Sequence, residues 1–203
     1  LNDVGEITLT GDFAGQVDFD PGAGMFNLTS AGSFDMYVLT LDNSGNFVWA
    51  KRIGGNAADA GTGIDVDSAN ALYLTGSFTG TVDFDPGIGT SNMTSLGITD
   101  AFILKLDANG NFGWAKQVGG QNYTRGTGLR LDHSGNILSI GNFNSQADFD
   151  PGAGVVNLLP APGAPDTYIL KLDPQGNYIW VKQLLGYGIE TSRSVAVDVF
   201  GSV

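Results

Sequence analysis

The stretch Val82-Asp83-Phe84-Asp85-Pro86-Gly87 decides how the chain is organised, because it occurs three times. It stands unchanged at 17–22 and with alanine in place of valine at 147–152, so successive copies begin 65 residues apart. A fixed period of this length indicates one supersecondary unit repeated along the chain. Three glycines and three tryptophans keep the same step to within one residue: Gly11, Gly76, Gly141, Trp49, Trp114 and Trp180.

Composition limits both the fold and the partners. The chain has 203 residues, of which 42% are hydrophobic and 15% charged, so it is long enough to bury a core. Its 31 glycines favour short strands joined by tight turns. A net charge of −12 repels phosphate backbones and anionic lipid, which argues against nucleic acid and membranes as partners. Cysteine is absent, which excludes disulfides and thiolate metal sites.

Four segments of each period have the pattern of β-strands, named here a to d. In the middle of the chain they are 127–132 (a), 136–143 (b), 101–107 (c) and 111–118 (d). Segment c is apolar on both sides, with Phe102 and Leu104 on one side and Ile103 on the other. A strand with two apolar faces needs a sheet packed on each side. The sequence therefore predicts an all-β fold of four-stranded antiparallel sheets stacked as β-propeller blades.

Turns of the form Asp-x-x-Gly join these segments. The aspartate side chain can accept hydrogen bonds from backbone N–H groups two residues on, and glycine supplies the positive φ that such a turn requires. In one copy Asn70 takes the place of the glycine, as the next best residue for that conformation. The predicted structural turns carry the pairs Asp42 and Gly45, Asp107 and Gly110, Asp132 and Gly135, and Asp173 and Gly176. Trp49, Trp114 and Trp180 are predicted as core aromatics covered by lysine stems.

Several motifs together resemble the bacterial β-propeller repeat family often called SBBP. They are Ser134-Gly135-Asn136-Ile137, Ile103 to Asp107, Gly110-Asn111-Phe112, Trp114-Ala115-Lys116 and Gly119-Gly120. The resemblance implies a part of a large secreted or surface protein of bacteria, with no motif tied to catalysis. The period is longer than the roughly 40 to 50 residues of a usual blade. The excess lies between segments b and c, at 80–100 in the middle repeat, and carries the Asp-Phe-Asp-Pro-Gly motif.

The repeats predict three blades and the beginning of a fourth. The predicted units are 1–61, which lacks its segment a, then 62–126, 127–192, and a remainder at 193–203 with a spare strand at 194–199. Closed propellers typically need about 4 to 8 blades, so three cannot close a ring. We therefore expect other copies of the chain, or adjoining repeats of a longer one, as partners. Two copies would give six blades, and a series that does not close would give a filament.

Paired aspartates in the repeated motif are the candidate metal ligands. In an extended chain both carboxylates of a pair project to one side, where they could share a calcium ion. Calcium takes about 6 to 8 oxygen ligands, of which the motif fixes two. The favoured alternative is that the acids cap backbone amides, so no cofactor is required and calcium is left open. The pairs are Asp18 and Asp20, Asp83 and Asp85, and Asp148 and Asp150, with Asp12, Asp35, Asp100 and Asp166 as further ligands.

Reactive residues do not assemble into a catalytic set. His133, the only histidine, lies in a predicted turn, and its counterparts in the other repeats are Ser68 and Val199. Asn27 and Asn92 fit the N-glycosylation pattern, and 67–69 resembles an O-glycosylation motif of secreted bacterial proteins. The chain is therefore predicted not to be an enzyme.

The expected function is structural: a repeat segment of an extracellular or cell-surface bacterial protein, such as a surface layer, an adhesin stalk or a filament. The alternative is a module that binds a glycan or a protein through the 80–100 loop and its counterparts.

Overall fold

The computed structural model describes residues 5–186, 188 and 190–198, which form strands and turns without a helix. None of the described residues belongs to a helix that could cross a bilayer. In chain order the strands are β1 (Ile7–Phe13), β2 (Gln16–Asp18), β3 (Asn27–Thr29), β4 (Asp35–Leu41), β5 (Phe47–Ile53), β6 (Ala60–Val66), β7 (Leu72–Phe78), β8 (Thr81–Asp83), β9 (Asn92–Thr94), β10 (Asp100–Leu106), β11 (Phe112–Gly120), β12 (Thr124–Leu131), β13 (Ile137–Phe143), β14 (Ala147–Asp148), β15 (Asn157–Leu158), β16 (Asp166–Leu172) and β17 (Tyr178–Leu184).

The long strands form three antiparallel sheets in which sequence neighbours pair. Sheet 1 has the order β1-β4-β5 and sheet 3 the order β12-β13-β16-β17. Sheet 2 has the long strands in the order β6-β7-β10-β11, and the short strands β14 and β15 extend it beyond β11. The predicted insertions are short hairpins, β2–β3, β8–β9 and β14–β15, each between the strands predicted as b and c. The all-β, antiparallel fold class is therefore confirmed, whereas a closed propeller and its blade number stay predictions. Strands β6 and β12 begin before the predicted repeat boundaries at 62 and 127.

Sheet 2 is covered on both faces, which is why its third strand is apolar on both sides. Phe102 and Leu104 share a cluster with Met36 of sheet 1. Ile103, on the opposite face of the same strand, shares a cluster with Leu170 of sheet 3. The first strands also lie against one another, β1 against β6 and β6 against β12. The stacking predicted from this pattern is therefore present.

The periodic glycines make room for aromatic rings within each sheet. Gly76 pairs directly with Phe102, and a Cβ at Gly76 would lie 2.9 Å from that ring. It would also lie 1.9 Å from the carbonyl oxygen of Ala60, so no side chain fits there. Gly11 and Tyr37, and Gly141 and Tyr168, repeat the arrangement.

The Gly-Gly pair at the end of β11 connects sheet 2 to the following repeat. A Cβ at Gly119 would lie 2.1 Å from the carboxylate carbon of Asp100, and one at Gly120 would lie 1.9 Å from the carbonyl oxygen of Gln146. The absence of side chains lets β14 pair with β11 through Gly120↔Ala147. Gly54 and Gly55 make the corresponding contacts with Asp35 and the Thr81 carbonyl.

The segment 190–198 lies against the first strand of sheet 3. The Thr127 and Ser192 hydroxyl oxygens are 2.8 Å apart, and the Asn142 side-chain amide donates to the Glu190 carbonyl at 2.7 Å. Residues 194–197 of the predicted spare strand do not form a strand in the described part of the chain. Val199, its last residue, is outside the described residues.

Candidate interaction faces

Neighbouring sheets meet where a tryptophan ring lies against the glycine of a turn, which has no side chain. A Cβ at Gly110 would lie 3.0 Å from two ring atoms of Trp49, which is on the last strand of sheet 1. Gly110 is buried and has a φ of 74°, a conformation that favours glycine. Trp114 makes the same contact with Gly176 of sheet 3, also at 3.0 Å. Both indoles are half-buried between two sheets and border the cores, and Trp180 on β17 is half-buried as well.

The turn that receives the indole is held by its aspartate. Asp107 Oδ1 accepts hydrogen bonds from the backbone N–H groups of Asn109 and Asn111 at 2.8 and 2.9 Å, and Oδ2 accepts one from the Asn111 side chain. Burial alone would raise the Asp107 pKa, but these bonds outweigh it and lower the pKa below its usual value. The turns at Asp42, Asp132 and Asp173 have the same bonds.

Among the described residues, the two outer sheets present the two halves of this contact without a partner. Trp180 on sheet 3 corresponds to Trp49 and Trp114, and the described part of the chain has no further sheet to cover it. At the other end, a Cβ at Gly45 of sheet 1 would meet nothing within 4 Å. The same two faces carry Lys182 beside Trp180 and Asp42 beside Gly45.

Two further features of the outer sheets, a glycine after β17 and a missing strand in sheet 1, have counterparts in the contacts between sheets inside the chain. Gly186, two residues after β17, corresponds to Gly55, which follows β5, and to Gly120, which ends β11. Gly55 and Gly120 make room for the carbonyls of Thr81 and Gln146, whose counterpart in the first repeat is Gln16, whereas a Cβ at Gly186 would meet the Glu190 side chain. Among the described residues, sheet 1 also has no strand corresponding to β6 and β12, and residues 190–197 do not form a strand.

The repeated Asp-Phe-Asp-Pro-Gly motif closes the loop of each inserted hairpin. Asp83 Oδ1 accepts hydrogen bonds from the N–H groups of Asp85 and Ser91 at 3.1 and 2.7 Å, and Asp85 Oδ1 accepts one from Gly87 at 2.7 Å. Phe84 is 1% exposed and packs edge-on against Phe78. Asp18 and Asp20, and Asp148 and Asp150, repeat these bonds. The bonds from the Phe26 and Asp20 N–H groups lower the pKa of Asp18.

The structure does not bring the further acids to these pairs. Asp100 is fully buried at the start of β10, where its Oδ2 accepts hydrogen bonds from the Leu96 N–H and the Gln117 side chain. Asp35 and Asp166 take equivalent positions, with Arg52 and Gln183 as partners. The described residues include no group of three or more potential ligands placed to hold a metal. Calcium at the Asp pairs stays a prediction.

Sequence reasoning did not assign these buried acids to the fold, although a signal for them exists. Each precedes segment c and is followed 17 residues later by a side chain with an N–H donor: Arg52 after Asp35, Gln117 after Asp100 and Gln183 after Asp166.

The remaining single residues lie at the surface. His133 is exposed in the turn between β12 and β13, and its neighbours Asp132, Asp65 and Asp67 line the same depression. Asn27 and Asn92, the two predicted glycosylation sites, are exposed on the inserted hairpins.

Comparisons with known proteins support the coarse fold. The chain is 27% identical over 173 residues to an uncharacterized WD repeat-containing protein of Acanthamoeba polyphaga mimivirus, a match covering 74% of the chain and 12% of the relative. It is also 27% identical over 146 residues to the regulatory protein FlaEY of Caulobacter vibrioides, covering 72% of the chain and 15% of that protein. No family model matches the chain. Because WD repeats form four-stranded propeller blades, these findings support a β-propeller-type repeat, while the SBBP assignment stays a prediction.

Gly110 and Gly45 form a matched pair for measuring the indole contact. Both have positive φ, at 74° and 82°, in equivalent turns, so alanine at either should cost about 1–2 kcal/mol of backbone strain. Only at Gly110 does the added methyl meet an indole, which should cost about 1 kcal/mol more. Urea unfolding of the dilute protein measures the difference. Equal losses for Gly110→Ala and Gly45→Ala would contradict the contact.

The lowered pKa of Asp132 predicts that the folded protein loses stability in acid. Burial favours its neutral form, but hydrogen bonds from Lys171, Asn136 and backbone N–H groups bring its pKa to about 2. This folded-state pKa is below the unfolded value of about 3.9. The stabilisation is therefore present above about pH 4 and lost as the pH falls towards about 2. In Lys171→Met, the unfolding free energy measured between about pH 6 and 2 should change less with pH. A pH dependence in Lys171→Met that equals that of the wild type would contradict the assignment.

Chelation tests the role of the paired aspartates. If their carboxylates serve to cap backbone amides, removing calcium with EGTA should leave the thermal unfolding midpoint unchanged, because the capping bonds need no ion. A midpoint that falls with EGTA and returns with added calcium, but does neither in Asp83→Asn, would instead assign calcium to the pairs.

Proposed function

We propose that the chain is a protein-interaction module that self-associates: the outer face of sheet 3 of one copy docks on the outer face of sheet 1 of the next. Within the chain, the same kinds of face already meet twice, between sheets 1 and 2 and between sheets 2 and 3. The observation that carries the proposal is the uncovered half-contact at each end, Trp180 on one face and Gly45 on the other.

Charge on the two faces supports the docking. Inside the chain, the stem of Lys116 lies beside Gly176, and its ammonium charge helps to lower the pKa of Asp173 in the same turn. Lys182 and Asp42 are the corresponding residues on the two outer faces. Docking therefore brings opposite charges together beside the indole, an arrangement that favours one orientation.

The segment 190–198 supplies the strand that sheet 1 lacks. It lies on sheet 3 much as β12 lies on β6, and its pairing with the edge of β1 in a second copy would complete sheet 1. In sheet 2, Val66 pairs with Leu72. Their counterparts are Val197 and Ile7, which gives the expected register between copies. An open edge covered in this way is no longer a template for unspecific pairing.

The number of copies follows from whether the series closes. Two copies would form a closed particle of six sheets, within the range of known propellers, and an unclosed series would form a filament. The similarity to a WD repeat-containing protein supports an interaction role, because such repeats present surfaces for partners. In the relatives the matched region is a small part of a longer chain, so an adjoining repeat could take the place of the second copy.

Sedimentation velocity over a range of concentrations tests the proposal. We expect the wild-type chain to associate with concentration, and Trp180→Ala to weaken association by about tenfold or more, as for a buried interface tryptophan. Gly45→Val, which fills the receiving turn, should act in the same way.

Two matched variants serve as controls. Gly80→Val introduces the same residue at a positive φ of 71° where a Cβ also meets nothing within 4 Å, but outside the two faces. Ile179→Ala shortens another exposed side chain of β17. Both should associate like the wild type. A wild-type chain that stays monomeric at the highest concentration, or a Trp180→Ala variant that associates unchanged, would overturn the proposal.

A second candidate function rests on the tips of the inserted hairpins. Met25, Ile88 and Val155 are exposed there, with Ile88 fully so. These side chains are aliphatic, which suits a protein partner better than a glycan. A structural role at a bacterial surface, in a layer, adhesin stalk or filament, stays a prediction from the family resemblance.

A further inference from the structure

A cavity of about 480 Å³ with polar and apolar walls opens at the end of the sheets where β12 begins. Its walls come from β6, from β12 and β13, and from the segment 191–193. This size is within the range of about 300–1,000 Å³ typical of small-molecule sites. The side chains that matter for its chemistry are Thr62, Tyr123, Arg125, Thr127, Asn142 and Arg193.

The charge of this cavity is opposite to that of the chain. Arg125 and Arg193 both line it, and no carboxylate side chain is among its described lining residues. Neither guanidinium forms an ion pair with a described residue, although the whole chain carries a net charge of −12. At the opposite end of the same strands, a depression is lined by four aspartates: Asp65, Asp67, Asp132 and Asp198.

The two arginines are not part of the repeated fold. The repeats can be aligned on Asp67, Asp132 and Asp198, the aspartates that begin the turns after each segment a. In this alignment Arg193 occupies the position of Thr62 and Thr127. The hydroxyl of Thr62 donates to the Gly126 carbonyl of the next strand at 2.8 Å, which is a structural bond between repeats. In the same alignment, Arg125 takes the place of Ala60. The repeat therefore does not require arginine at either position, although both arginines line this cavity.

The walls of the cavity are held in place. The Arg125 guanidinium lies over the ring of Tyr123, 5.2 Å from its centroid. The Asn142 amide donates to Thr167 Oγ1 at 2.9 Å and to the Glu190 carbonyl at 2.7 Å, and the Thr127 and Ser192 hydroxyls are within 2.8 Å. The segment that carries Arg193 is thereby fixed to sheet 3, and the exposed residues Arg125 and Arg193 line the same cavity.

We propose that this cavity binds an acidic sugar, with the carboxylate between Arg125 and Arg193. Guanidinium groups match the geometry of a carboxylate, and charge-assisted hydrogen bonds of this kind are about twice as strong as neutral ones. Threonine and serine hydroxyls and the Asn142 amide are suited to sugar hydroxyls, as both donors and acceptors. The Tyr123 ring adds an apolar wall. The site is complete within one copy, so it does not depend on self-association.

Isothermal titration calorimetry with galacturonate oligomers tests this assignment. Trigalacturonate should bind, whereas a neutral galactose trimer and free acetate should bind at least about tenfold more weakly, since each lacks one half of the recognised chemistry. Arg125→Gln and Arg193→Gln should each weaken trigalacturonate binding by about tenfold.

Arg130→Gln is the matched control, because it removes the same guanidinium charge from an exposed position on β12, outside the cavity. It should bind trigalacturonate like the wild type, and thermal melting checks that every variant is folded. The proposal is overturned if trigalacturonate does not bind, or if Arg130→Gln weakens binding as much as the Arg125 and Arg193 variants do. It is also overturned if acetate binds as tightly as trigalacturonate, which would indicate a general anion site. Binding of the neutral galactose trimer as tight as that of trigalacturonate would overturn it as well.

Discussion

The packing of one sheet on the next depends on a tryptophan indole that lies against the glycine of a turn in the neighbouring sheet. Trp49 against Gly110 and Trp114 against Gly176 bring the edges of successive sheets to the same distance. Because the third strand of sheet 2 is apolar on both faces, this sheet could not be stable alone and requires a neighbour on each side. The turn aspartates matter because they hold the receiving turn in the one conformation that leaves room for the ring.

The other repeated motifs serve the same stacking. The Asp-Phe-Asp-Pro-Gly loop inserts Phe84 into the core, and its carboxylates hold the loop that makes this insertion possible. The Gly-Gly pair lets the hairpin of the following repeat approach the last strand of the sheet before it. A stack built in this way has two unlike ends, and each end presents what the other one receives.

Much of the fold could be predicted from the sequence because local chemistry determines it. Alternating apolar residues located the strands to within a few residues, and two-faced apolar character at Ile103 and Leu104 indicated stacked sheets. The long-range contacts of small residues could not be predicted, since a glycine does not reveal which ring or carbonyl it makes room for. The cavity at Arg125 and Arg193 was missed for a different reason: neither residue recurs in register, and a search for repeats passes over such residues.

Ring-current shifts in a proton NMR spectrum test the stacking most directly. An α-proton close to the edge or face of an indole is displaced from its ordinary chemical shift, so the three equivalent turn glycines should differ. In dilute protein we expect Gly110 and Gly176 to show displaced shifts and cross-relaxation with the indole protons of Trp49 and Trp114, while Gly45 shows neither. Three glycines with the same ordinary shifts and no contact to an indole would contradict the account.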